Sequence, residues 1–203
     1  MGKTAIVLCA AMLTLPSCMP YWGRVYQAPP AQCHVVDAVS GQPVANATVR
    51  YERAGGDAAV TAADGTCTLP GISQTEFHVV MPGMALAAVP VVASHASLGT
   101  GYGFATHPLL DRWGTTVPVA ILLLPRDGAQ DLTEDAYLTR LAQALEPLLT
   151  REAFRQQVAA DPRAFDELAN ARFPACERMS EAQAAQLRVS LDTLRALARA
   201  AAK

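Results

Sequence analysis

The hydrophobic period of this chain changes at Asp127-Gly128. Before that point apolar residues alternate or come in short bursts; after it they recur every three or four positions. A period of two lines one face of a strand, and a period near 3.6 lines one face of a helix. No single element accommodates both. The sequence therefore predicts an α+β chain, strands first and helices second.

In the first part, Cys33-His34-Val35-Val36-Asp37-Ala38-Val39 is rich in β-formers, and Ser40-Gly41-Gln42-Pro43 is a turn. Ala45, Ala47, Val49 and Tyr51 then alternate. Gly55-Gly56-Asp57, Asp64-Gly65 and Pro82-Gly83 punctuate further short strands, and Val117 to Pro125 is almost continuously apolar. Short strands with turns about every ten residues argue for a seven-or-so-stranded antiparallel β-sandwich over residues 32–126. Residues 94–116 carry Gly99, Gly101, Gly103 and Gly114 with Tyr102, Phe104 and Trp113, and read as a long surface loop.

The second part, residues 131–203, reads as three to four helices. Asp131-x-x-Glu134 and Ser180-x-x-Gln183 have the form of capping boxes, and Asp161-Pro162 that of a cap followed by proline at the first helical position. Tyr137, Leu138, Leu141, Leu145, Leu148 and Leu149 form one apolar stripe, and Leu187, Leu191, Leu194 and Ala198 another. Acidic and basic residues nearly balance there, which favours a packed helical unit over a basic membrane-surface helix.

The start of the chain addresses it. Lys3 precedes an apolar run from Thr4 to Leu15, and Leu15-Pro16-Ser17 leads into Cys18. This is the layout of a secretory signal, and Pro16 breaks a run already too short to span a bilayer. Leu15, Ser17 and Cys18 resemble the lipobox of bacterial lipoproteins, with Pro16 departing from the usual small residue. The resemblance implies cleavage after residue 17, acylation of Cys18, and a lipid anchor whose several chains hold almost irreversibly. Met19, where an Asp would retain an enterobacterial lipoprotein in the inner membrane, implies the periplasmic face of the outer membrane of a Gram-negative bacterium. Pro20, Pro29 and Pro30 then suggest that residues 18–31 are a Pro-rich tether, with Tyr21, Trp22 and Tyr26 either at the membrane interface or packed on the next domain.

Cleavage leaves 186 residues and a formal charge of −3, so there is no basic excess for nucleic acid. It also leaves Cys33, Cys67 and Cys176 as unblocked thiols. An oxidising compartment makes one disulfide with one thiol over the simplest arithmetic.

Residues Val35 to Val49, read as V-x-D-x-x-x-G-x-P-V-x-x-A-x-V, and Thr61 to Pro70, read as T-x-x-D-G-x-x-x-L-P, resemble the carboxypeptidase regulatory-like domain, a transthyretin-type sandwich. The resemblance covers about half the chain and stops before the helices. It implies that the strand after Asp64-Gly65 lies beside the first strand, which places Cys33 and Cys67 as a disulfide, or as two reduced core thiols. It also implies a binding or stabilising role, because that domain accompanies catalysis without performing it.

No catalytic constellation is visible. His34-Val35-Val36-Asp37 is similar to a motif of the 5-hydroxyisourate hydrolases, but Thr66 and Thr116 stand where that family has its Arg and His, and its Y-R-G-S terminus is missing. The acid/base pair and the oxyanion stabiliser are therefore incomplete. His34, His78, His95 and His107 lack metal-site spacing, and no pair of cysteines is spaced C-x-x-C. Gly99-Thr100-Gly101-Tyr102-Gly103 has no P-loop Lys. The expectation is a non-enzymatic, lipid-anchored interaction or structural module of the cell envelope, without cofactor or metal, with an envelope protein as partner. The alternatives are a small-ligand-binding or transport lipoprotein, with Tyr102, Phe104, His107 and Trp113 as the gripping loop, or an accessory lipoprotein of a secretion machine.

Overall fold

A computed structural model describes residues 19–80, 86–108, 114–126, 133–171 and 179–203. The signal segment, Cys18, Trp113, Asp131 and Cys176 lie outside the described residues. The fold is mixed α+β. Among the described residues, nine strands come first: β1 (Met19–Ala28), β2 (Ala31–Asp37), β3 (Thr48–Tyr51), β4 (Ala59–Val60), β5 (Thr66–Leu69), β6 (Ile72–Val80), β7 (Leu86–His95), β8 (Gly99–Pro108) and β9 (Val117–Leu123). Four helices follow among the described residues: α1 (Glu134–Leu149), α2 (Glu152–Ala160), α3 (Pro162–Asn170) and α4 (Glu181–Ala201).

The strands form a three-stranded sheet, β5-β2-β9, a four-stranded sheet, β4-β3-β7-β8, and a separate ribbon, β1-β6. Ala31, Cys33 and Val35 of β2 and Val119, Ile121 and Leu123 of β9 face Val49, Tyr51, Val91 and Ala93 of the other sheet. The alternate residues Val36, Ala120 and Leu122 face the helices. The three-stranded sheet is thus buried on both faces, which is why Val117 to Leu124 reads as an unbroken apolar run.

Three expectations are corrected. The sandwich is not wholly antiparallel, because β2 and β9 pair in parallel, Ala31 opposite Val117 through Asp37 opposite Leu123. These strands are joined through the rest of the sandwich, not by a hairpin, so no short connection constrains their direction. Residues 94–116 are not one long loop. β7 and β8 form a ten-pair antiparallel hairpin, turning at residues 96–98, with Gly99 at φ 86°. Residues 19–28 are not a free tether but β1, in register with β6 from Met19 opposite Val80 to Ala28 opposite Ile72. Pro20 is tolerated because the ribbon has no third strand.

Gly101 and Gly103 have ordinary extended backbones, so their role is spatial. They point at β9. A Cβ at 101 would lie 2.4 Å from the Leu122 carbonyl oxygen, and one at 103 would lie 2.8 Å from that of Ala120. The glycines let the edge strands of the two sheets meet backbone to backbone and close one side of the sandwich.

The helices cover that closed edge. Thr133 caps α1, accepting from the Ala136 N–H, in the place expected of Asp131. Asp161 caps α3 ahead of Pro162, and Ser180 with Gln183 forms the reciprocal box of α4, as their spacing implies. The whole α1 stripe is buried, as are Leu187, Leu194 and Ala198 of α4. Tyr137 is fully buried; its hydroxyl donates to the Leu122 carbonyl at 3.0 Å, with the Tyr102 carbonyl 3.5 Å away. One side chain thereby ties α1 to the β8–β9 seam.

Candidate functional site

A polar recess at the junction of sandwich and helices is built around His34. β2 alternates, so His34 leaves the sandwich interior and meets α2 and α3. It is 4 % exposed. Its Nε2 and the Gln157 Oε1 are 3.1 Å apart, and its ring meets that of Phe165 edge-on at 5.7 Å. An amide oxygen only accepts, so Nε2 is the donor in this contact, and Nδ1 is buried with no hydrogen-bond partner among the described residues. Gln32, Asp64, Thr66 and Asp161 complete a cleft of about 370 Å³.

The carboxylates of this cleft are already engaged. Asp64 accepts from both the N–H and the hydroxyl of Thr66, at 3.0 and 2.8 Å, and these bonds hold its pKa below the usual Asp value. Asp161 caps α3 through Ala164. The cleft therefore offers one fixed imidazole and a polar rim. Thr66 lies in it where the hydrolase comparison requires an Arg, and Thr116 is exposed on the approach to β9. Among the described residues, no three His, Cys, Asp or Glu side chains gather as a metal-binding group.

Behind His34, on the interior face, Cys33 stands directly opposite Cys67 in the antiparallel β2–β5 pair. Cys33 is buried and Cys67 is half-buried; both are thiols here. The interaction between the two thiols, together with burial, pushes Cys33 up; the same interaction pulls Cys67 down, against the opposing effect of its own partial burial. The Tyr51 hydroxyl, pushed up by burial and by Cys33, donates to the Pro29 carbonyl beside the pair. A lowered pKa raises the thiolate fraction at any pH below it, and the thiolate is the reactive form. In the reduced protein, iodoacetamide is expected to label Cys67 well before Cys33 and at a lower pH than an ordinary exposed thiol; peptide mapping reads the order, and earlier labelling of Cys33 contradicts it.

Of the residues expected to form a gripping loop, Tyr102, Phe104 and His107 lie on β8, and Trp113 is outside the described residues. β8 sends Tyr102 and Phe104 to the helix side, where Tyr102 is buried against Tyr137 with ring centroids 5.2 Å apart and Phe104 is half-buried in the same core. His107 is buried on the other side of the strand, in step with Gly101, Gly103 and Ala105. Tyr102 and Phe104 are used up in packing. A second depression of about 540 Å³ lies among α1, α2 and α4, lined by Leu149, Ala185, Val189 and Leu197 with Glu146 and Arg155.

The sequence reading left Phe77 out of its interfacial aromatics. Trp22 and Phe77 stand directly opposite on β1 and β6, ring centroids 6.4 Å apart, and are 71 % and 57 % exposed. Tyr26 packs: a Cβ on Gly71 would lie 2.8 Å from its ring and one on Gly114 2.4 Å from it. The period-two pattern of β6 was the available signal for Phe77, but only the pairing with β1 brings it to Trp22.

No family model, no curated protein and no solved structure matches this sequence.

Proposed function

We propose that the protein is a lipid-anchored, non-enzymatic module of the Gram-negative cell envelope, on the periplasmic face of the outer membrane, holding an interaction or structural domain close to the bilayer. The feature that carries this reading is the Lys3-to-Cys18 segment with its lipobox-like Leu15, Ser17 and Cys18, and the pairing of Met19–Ala28 along β6 adds to it. An acyl group on Cys18 then holds an ordered ribbon, not a slack tether, so the sandwich and helices stand at a defined distance from the membrane. The burial of Tyr102 and Phe104 favours this reading over ligand transport.

A transthyretin-type assignment of the sandwich belongs to the same proposal. It is supported by β5, the strand after Asp64-Gly65, lying beside β2, and by β9 closing the same sheet.

In a Gram-negative host fed a tagged fatty acid, the full chain is expected to take up label and sediment with outer membranes. Cys18→Ser is expected to abolish the label and release the protein to the soluble periplasm. Unchanged labelling of the variant overturns the anchor.

A further inference from the structure

The geometry points to the outer end of the β1–β6 ribbon, with Trp22 and Phe77 at its centre, as a membrane seat that leans the protein onto the bilayer surface beside the Cys18 anchor. This rests on the reading of Cys18 as acylated. An exposed indole beside an exposed phenyl ring on a two-stranded sheet costs solvation on both rings and gains only their tilted contact. The inner end of the ribbon behaves differently: Val25 and Ala28 are buried, and Tyr26 packs near Gly71 and Gly114. Among the described side chains of the ribbon, the exposed aromatic pair lies on the Cys18 side of the buried Val25 and Ala28.

The order of residues on this face suits an interface. Trp22 and Phe77 come first, and Arg24 opposite Thr75 comes next, its guanidinium 5.4 Å from the Tyr26 ring centroid and its Nε donating to the Ser73 hydroxyl. Aromatic rings favour the headgroup level, and a cation one step farther out faces lipid phosphates. At about 3.3 Å per residue, Trp22 lies at most roughly 13 Å along the strand from Cys18. The headgroup layer is only about 5–8 Å deep on each side. The ribbon must therefore incline for Trp22 to reach that layer, which in turn tilts the sandwich and its helices in a fixed direction.

The test uses the mature chain in phosphatidylethanolamine/phosphatidylglycerol vesicles, with and without lipids brominated near the glycerol, and compares it with Trp22→Phe. Bromolipid is expected to quench part of the tryptophan emission, and that quenched part is expected to vanish in Trp22→Phe. Quenching that persists in the variant belongs to Trp113 and overturns the seat, as does a Trp22 emission untouched by bromolipid and open to acrylamide. Shielding of Trp22 that develops only when envelope extract is added also overturns it, in favour of a protein partner. The mass of the N-terminal peptide is read on the same sample. A bare Cys18 refutes the anchor whatever the fluorescence does, so the two ideas fail separately.

Discussion

Gly101→Val is expected to destabilise the protein by about 3 kcal/mol or more, at or beyond the upper end of ordinary overpacking costs. Even the Cβ of alanine would sit 2.4 Å from the Leu122 carbonyl oxygen, where real contacts do not occur. That oxygen is poorly able to retreat, because β9 is paired along β2 and Leu122 also accepts from Tyr137. Relief requires β8 to move off β9, which opens the seam and draws Tyr102 away from Tyr137. Against a total stability of roughly 5–15 kcal/mol, this is a large fraction. Urea denaturation followed by circular dichroism reads the loss. Gly55→Asn is the control: Gly55 has φ 75° and nothing within 4 Å of a built Cβ, and Asn tolerates that conformation. An unchanged midpoint for Gly101→Val refutes the close approach as a structural necessity.

The second large effect concerns Cys33 and Cys67. Protein recovered from the periplasm is expected to carry them as a disulfide, and reduction is expected to lower its stability by about 3–4 kcal/mol, the chain-entropy contribution for a loop of this length. Directly opposed residues of an antiparallel pair lie within the Cα separations that a disulfide spans. The more accessible member, the half-buried Cys67, is the more acidic thiol and the one that meets a disulfide donor first. Its thiolate attacks the donor to give a mixed disulfide; Cys33 then displaces the donor's thiol, and the two electrons leave with the reduced donor. Non-reducing peptide mapping identifies the linkage. A Cys176 pairing, or an unfolding midpoint insensitive to reductant, overturns it.

These two sites also show where a sequence can be read and where it cannot. The turn after β2 was legible because its chemistry is local: the Asp37 carboxylate accepts from Val39 N–H and from Ser40, and Gly41 takes φ 75°. The caps at Asp161 and Ser180 were legible for the same reason, since each partner lies three residues away. Gly99, Gly101 and Gly103 suggest a long loop in the sequence but lie on β8. Glycine serves both freedom and close approach, and the strand that requires the approach lies about twenty residues downstream. Tyr102 and Phe104 were misplaced by the same blindness, because the helix that buries them is another thirty-odd positions along the chain.

Of the cleft, His34 and Thr66 were singled out from the sequence, while Gln157 and Asp161 were not tied to them. A helical glutamine has no sequence mark that distinguishes an exposed face from one docked on a sheet. Only the seating of α2 and α3 on β2 brings Gln157 to the imidazole.

The sequence by itself determined the elements that short-range physics decides: the change of period near residue 127, the turns and the caps. The tertiary structure decided what depends on contact between distant segments. It made β1 a ribbon strand instead of a tether, turned a glycine-rich stretch into a seam, set Cys33 opposite Cys67, and left Trp22 and Phe77 outside. The division follows from range, since hydrogen bonds within a turn are written in neighbouring residues, while burial is a property of whichever surface arrives from elsewhere in the chain.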